Sequence, residues 1–233
     1  MNPVEAIMNP VEAIMNPVEV IMNPVEVMMK EITNMKLIAG MLMVLLPCLA
    51  ALPEIDKNKA QGSPTAPVKL EVFSDFTCPH CKHFHEELMP QLMKDYVVGG
   101  KVYLIDRGFL LTGQGHEHSR EAFQYAIAAA RIGKYQQVAD ALYAQQVTWA
   151  IYGNVWGAVQ SALPSPADQK KVQELAKLPD VNAEIDAEYK EAVDSGLNQT
   201  PTIILTVGGK RYPLPPATDY RLLKSMIDGF LPK

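Results

Sequence analysis

Apolar positions along this chain follow three rhythms, and each predicts a different kind of element. Short runs rich in β-branched and aromatic residues occur at 68–73 (Leu70, Val72, Phe73), at 101–106 and at 202–207. Each reads as a strand. Gly208-Gly209 marks a turn, and a fourth strand follows at 210–212. From 117 to 195 the spacing becomes helical. Ala122, Tyr125, Ala126, Ala129 and Ile132 form one stripe, and Val138, Leu142 and Tyr143 form another, ahead of turns around Trp149, Trp156 and Leu163. Ser165 followed by Pro166 predicts a capped helix start, with Val172 and Leu175 on one face. A further helix covers 181–194 and stops at Gly196, and a last one covers 218–230. A helix beginning near residue 79 is expected to run to about Tyr96 with a kink at Pro90.

The third rhythm is a repeat. Residues 1–28 are four heptads, MNPVEAI twice, then MNPVEVI and MNPVEVM. A seven-residue period suits a coiled coil, but Asn-Pro in every repeat breaks a continuous helix. Each repeat also offers a Met, so translation can start downstream. Residues 1–34 are therefore expected not to belong to the functional protein; a disordered extension is the alternative. Lys30 and Lys36 precede ten apolar residues at 37–46, followed by Pro47-Cys48-Leu49-Ala50-Ala51. That order predicts a signal peptide over 35–51, cleaved after Ala50 or Ala51. An acylated Cys48 or an uncleaved anchor would be other outcomes, although Pro47 stands where a lipoprotein signal needs a small residue. Residues 52–67, rich in Pro, Gly, Ser and Lys, read as a linker. The folded domain is expected over 68–233.

Composition narrows the functional classes. The 233 residues are 48% hydrophobic and 20% charged, as in ordinary globular proteins, with a formal net charge of −5. Two basic and five acidic residues fall within 1–51, so the remainder carries 19 basic against 21 acidic. Such a near-neutral body gives no footprint for nucleic acid. Of three cysteines, Cys48 would leave with the signal, and Cys78 and Cys81 alone would remain. An exported chain whose only thiols form one Cys-x-x-Cys uses them for exchange rather than as a framework.

Cys78-Pro79-His80-Cys81 lies between the strand at 68–73 and the helix after it. Helix N–H groups and the helix dipole favour an anion at Cys78. Pro79 is tolerated in the first turn, and His80 can add a donor or a positive charge to a Cys78 thiolate. Cys81, one turn on, can attack a mixed disulfide. Structural zinc is the rival use of these thiols, but His83 and His85 diverge by about 100° per residue on a helix and cannot easily join both sulfurs. His83, His85, His116 and His118 are expected at the surface, and no metal is assigned.

The stretch from Val72 to Phe84 resembles the DsbA-like branch of the thioredoxin superfamily, the thiol:disulfide oxidoreductases of cell envelopes. Gln199-Thr200-Pro201-Thr202 supports the same resemblance. It implies an α/β thioredoxin-like fold with an inserted helical domain at about 117–195. It further implies Cys78 as exchanging nucleophile, Cys81 as resolving partner, and His80 and Pro79 as parts of the active site. Thr200 and a cis Pro201 would offer main-chain groups to an extended substrate. Many relatives carry a buried acid six residues before the first cysteine, where this chain has Val72. Strand alternation turns Glu71 the other way, which leaves Asp75 as the nearer carboxylate, or as an exposed turn residue.

The resemblance implies no cofactor beyond the dithiol, reduced or unfolded secreted proteins as substrates, a membrane redox partner for recycling, a monomer, and location in the periplasm or outside the cell. An envelope reductase or isomerase of the same fold is the nearest alternative, and a non-catalytic metal-binding or metal-delivery module is one of another class.

Overall fold

The computed structural model describes residues 58–216 and 219–231, all within the unit Pro53–Lys233. The heptad repeat, the expected signal peptide and the first part of the expected linker lie outside the described residues.

Five strands form one mixed sheet: β1 (Ala60–Gln61), β2 (Val68–Ser74), β3 (Val102–Gly108), β4 (Thr202–Val207) and β5 (Lys210–Pro213), in the order β1-β3-β2-β4-β5. β2 and β3 run parallel, and every other pair is antiparallel. The two parallel strands are joined by a long helical run, as a parallel pair requires. β4 and β5 are joined through Gly208 (φ 56°) and Gly209 (φ 77°), a pair of left-handed residues that glycine supplies without steric cost.

Strand alternation separates the two faces. Val68, Leu70, Val72, Val102, Leu104, Ile203 and Leu205 pack against helix α1 (residues 79–97) and against Leu223 and Ile227 of α8 (Tyr220–Asp228). Phe73 and Ile204 face the other way, onto Phe109 and Ala192. Both faces are covered, so β2 is buried almost throughout.

α1 is not a uniform helix. Stretches of α-helix at Pro79–His83 and Met89–Leu92 alternate with wider π turns at Phe84–Leu88 and Met93–Val97. Met89 N–H bonds to the Phe84 carbonyl, and Val98 N–H bonds to that of Met93 at 2.9 Å. The buried residues Phe84, Leu88, Leu92 and Tyr96 recur every fourth position, which overshoots an α-turn of 3.6 residues. The π turns take up the overshoot and keep the apolar row on the sheet. The expected kink at Pro90 thus takes the form of π turns on either side of the short α stretch that holds it.

Between β3 and β4 lie six helices: α2 (Ser119–Ala130), α3 (Tyr135–Ala144), α4 (Gln146–Tyr152), α5 (Val155–Ala162), α6 (Pro166–Leu175) and α7 (Pro179–Asp194). α2 is the centre of this insertion. Its alanines at 122, 126, 128, 129 and 130 are buried on nearly every side, which lets neighbouring helices approach closely. The turns expected around Trp149 and Trp156 are instead parts of α4 and α5. Trp149 is fully buried and donates its indole N–H to the Leu142 carbonyl at 2.7 Å. Ser165 caps α6 by accepting from Asp168 N–H, with Pro166 first in the helix as expected.

The linker reading fails for the residues just before β2. Ala60 and Gln61 pair with Ile105 and Leu104 as an edge strand. Lys59 is only 2% exposed; its ammonium bonds to Glu188 and lies 3.6 Å from Glu184 of α7. Glu188 also accepts from Gly108 N–H at 2.8 Å. A Cβ at Gly108 would meet that carboxylate at 2.8 Å and Phe123 at 2.9 Å, so only glycine fits there. Lysine-rich composition suggested solvation, but one lysine is the buried partner of a helix carboxylate.

Candidate active site

β2 ends at Ser74, and the chain turns through Asp75, Phe76 and Thr77 before Cys78 opens α1. Cys78 occupies the cap position (φ −75°, ψ 120°), and Pro79 takes the first helical position, where no partner for an N–H is needed. Asp75 organises the turn and is fully buried. Its carboxylate accepts from Thr77 N–H at 2.7 Å and from the Thr77 hydroxyl, and on its other oxygen from Leu111 N–H at 2.8 Å and the Ser119 hydroxyl. His116 Nδ1 lies 2.6 Å from the Thr77 oxygen. Because that hydroxyl donates to Asp75, the ring nitrogen acts as donor to it.

Both cysteines are free thiols, with Cys78 5% and Cys81 1% exposed, and both pack into the core of the helical insertion beside Phe76. Their environments pull them apart. A hydrogen bond from the Cys81 thiol brings the Cys78 pKa down from 9.0 to about 5, against the upward pull of burial. Thr200 and the main-chain N–H groups of Cys81 and His80 act in the same downward direction. For Cys81, burial, then the bond to Cys78 and its negative charge, push the pKa well above 9.0. Asp75 N–H, 3.4 Å from Cys81 Sγ, only partly offsets this.

The Thr200–Pro201 bond is cis. Cys78 Sγ lies 3.5 Å from the Thr200 carbonyl, which accepts from the thiol; for a thiolate, the Thr200 hydroxyl is the available donor. Alongside runs a groove of about 370 Å³ lined by His80, His83, Phe84, Gln199, Thr200, Pro201 and Pro216.

The expected residues Pro79, His80, Cys81, Thr200 and Pro201 thus gather around Cys78. His80 acts on Cys78 through its main-chain N–H; its ring is exposed and lines the groove. Of the four other histidines expected at the surface, His83 is exposed. His85 is half-buried, bonded to Asp140 at 2.7 Å and stacked on Tyr143, while His116 joins the Asp75 network and His118 packs at Gly153. Asp75 is not an exposed turn residue. Glu71 does face away from Val72, as alternation required, and pairs with Arg107 at 3.1 Å and Arg211 at 3.4 Å. Among the described residues, no group of His, Cys, Asp and Glu is arranged to hold a metal ion.

Sequence reasoning passed over Gln146, whose side-chain amide reaches the Phe76 and Cys78 carbonyls. Nothing in its local sequence distinguishes it from the other glutamines of the insertion.

A model of the thioredoxin family matches residues 55–228. A Rickettsia felis protein named "Putative protein-disulfide oxidoreductase" is 32% identical over 87 residues, 37% of this chain and 29% of that protein. Disulfide bond formation protein D of Bacillus subtilis is 32% identical over 63 residues, 27% of this chain and 28% of that protein. The matched stretches therefore span under a third of the length of these relatives. Among solved structures, oxidised BdbD from Bacillus subtilis superposes with a TM-score of 0.62 at 20% identity, over 74% of this chain and 92% of that one. Wolbachia pipientis alpha-DsbA1 gives 0.62 at 19% identity, over 78% and 94%. The thioredoxin-like fold with an inserted helical domain, expected from the resemblance, is borne out.

Proposed function

This chain belongs to the thioredoxin family, and from that membership we propose that it is an exported thiol:disulfide oxidoreductase that donates a disulfide to folding proteins. The observation that carries this is the opposed environment of the two thiols, one drawn down to about 5 and the other pushed well above 9.0. Only the reduced state contains a thiolate to stabilise, so the arrangement favours reduction of the enzyme and oxidation of its substrate. The name of the Bacillus relative, disulfide bond formation protein D, points the same way, and that of the Rickettsia relative supports disulfide exchange.

In the proposed cycle a substrate thiolate attacks Cys78 Sγ of the disulfide form. The Cys78–Cys81 bond breaks, Cys81 leaves and takes a proton, and a mixed disulfide joins the substrate to Cys78. A second substrate thiolate then attacks the substrate sulfur and expels Cys78 as a stable thiolate. Two electrons pass from the substrate dithiol to the enzyme. A low leaving-group pKa speeds this last step. Thr200 and Pro201 beside the groove offer the main-chain edge on which an extended peptide of any sequence can dock. The dithiol is the only redox group required. A membrane redox partner would restore the disulfide, and the protein would work as a monomer outside the cytoplasm after removal of residues 35–51.

The test is to mix the oxidised protein with a reduced, unfolded polypeptide and count thiols on both. The substrate should lose two thiols for each enzyme disulfide lost, and a Cys78→Ala/Cys81→Ala variant should transfer none. Transfer only in the opposite direction, to the enzyme from a reductant and on to protein disulfides, would favour the reductase or isomerase reading.

A further inference from the structure

Gln146 opens α4 and is 4% exposed. Its Nε2 donates to the Phe76 carbonyl at 2.7 Å and to the Cys78 carbonyl at 3.0 Å. Both amide hydrogens are thereby committed to the turn that presents the reactive sulfur. The Cys78 carbonyl also accepts from Lys82 N–H at 3.1 Å, in the first turn of α1, so both of its lone pairs are engaged. Asp75 holds the same turn from the other side, through Thr77, and is itself tied to Leu111 and Ser119 at the start of the insertion. α4 gives Gln146 a fixed base, because Trp149 on the same helix is buried and bonded to the Leu142 carbonyl.

We propose that Gln146 is a positioning residue of the dithiol: from the helical insertion it fixes the Phe76 and Cys78 carbonyls and so keeps the Cys78 sulfur on the N-terminal N–H groups of α1. This rests on the oxidoreductase reading and assigns the insertion a share in setting the chemistry. Without the amide, the Phe76–Thr77 and Cys78–Pro79 peptide units, whose carbonyls it holds, are free to tilt. The Phe76 carbonyl then loses its donor and the Cys78 carbonyl keeps only Lys82 N–H, so less of their negative charge is offset in the turn that carries the sulfur, which opposes a thiolate. A side chain that merely filled the space would do neither job.

The test uses Gln146→Met, which keeps the length of the side chain but has no donor. Thiolate absorbance as a function of pH, in the reduced full-length protein, should show the Cys78 ionisation midpoint about one unit higher. That is a tenfold loss in ionisation, or ~1.4 kcal/mol. The equilibrium constant with glutathione should shift by a similar factor towards the disulfide form of the enzyme, ~30 mV. Loss of packing alone would lower the melting temperature and leave both values in place. If Gln146→Met does not fold, Gln146→Asn, polar but too short to reach both carbonyls, should give the same direction of change. A folded variant of either kind with the wild-type midpoint and equilibrium constant overturns the proposal. A wild-type protein that exchanges no disulfides would remove the oxidoreductase reading, while the ionisation midpoints would still decide the role of Gln146.

Discussion

Cys78 Sγ lies 3.5 Å from the carbonyl oxygen of Thr200, a residue 122 positions further along the chain. The sheet brings them together. β2 and β4 are antiparallel neighbours with Phe73 opposite Thr202, so the end of β2 and the entry to β4 share one edge. The reactive sulfur therefore sits against a main-chain segment with which a bound peptide can pair. The Thr200 side chain can contribute as well. Thr200→Val keeps the shape and removes the hydroxyl donor, so it should raise the Cys78 midpoint from about 5 by up to one unit. Thiolate absorbance as a function of pH reads this, and an unchanged midpoint would remove the hydroxyl from the site.

The asymmetry of the pair predicts which thiol reacts. With Cys78 lowered and Cys81 raised, alkylation near neutral pH should modify Cys78 first. Cys81→Ala should accumulate mixed disulfides with substrate proteins, visible on non-reducing gels, whereas Cys78→Ala should accumulate none. Equal alkylation of both thiols would contradict the assignment.

pH linkage gives a third expectation. The folded-state pKa of Cys78 is depressed from 9.0 to about 5. Its stabilisation of the reduced protein is therefore fully present above about pH 9 and is lost as pH falls through about 5. The disulfide form has no such group. Between these limits the unfolding free energy of the reduced protein, relative to the oxidised one, should rise by ~1.4 kcal/mol per pH unit. Denaturant titrations of both forms at several pH values check it, and a flat difference would contradict it.

The buried pair Lys59–Glu188 should matter to stability rather than to exchange. Glu188→Gln leaves the Lys59 ammonium with Glu184 at 3.6 Å as its remaining carboxylate. A buried charge stripped of its main partner costs about 3–5 kcal/mol, and Glu184 should hold the loss near the lower end. The double variant Lys59→Met/Glu188→Gln should recover much of the loss. Urea denaturation of the oxidised forms measures both, and additive losses in the double variant would argue against a coupled pair.

The sequence made the strands and helices legible where period and boundary residues agreed. The runs at 68–73 and 202–207, the Gly208-Gly209 turn, the Ser165-Pro166 start and the stop at Gly196 all stand close to their expected positions. Edge strand β1 was not legible: two residues carry no period, and Ala60-Gln61 has no β-branched side chain. The Cys-Pro-His-Cys motif located the dithiol because its chemistry depends on neighbours in sequence. Asp75 was named as the nearer carboxylate, but the roles of Thr77, Ser119, His116 and Gln146 were missed because they act through contacts 39 to 70 residues away, such as Thr77–His116 and Gln146–Phe76. For His80 the structure adds a contribution that adjacency did not suggest. Adjacency suggested its ring, whereas the helix start presents its main-chain N–H.

The reduction potential of the Cys78–Cys81 pair, measured against glutathione, tests the proposed direction of exchange most directly. At pH 7 a thiol drawn down to about 5 stabilises the reduced state by about two pKa units over one that stays protonated, each equivalent to ~30 mV for a two-electron couple. The pair should therefore lie ~60 mV above a thioredoxin-like dithiol near ~−270 mV, at about −210 mV or higher. A potential at or below ~−250 mV would contradict the disulfide-donor reading, because such a pair holds its disulfide too firmly to pass it on.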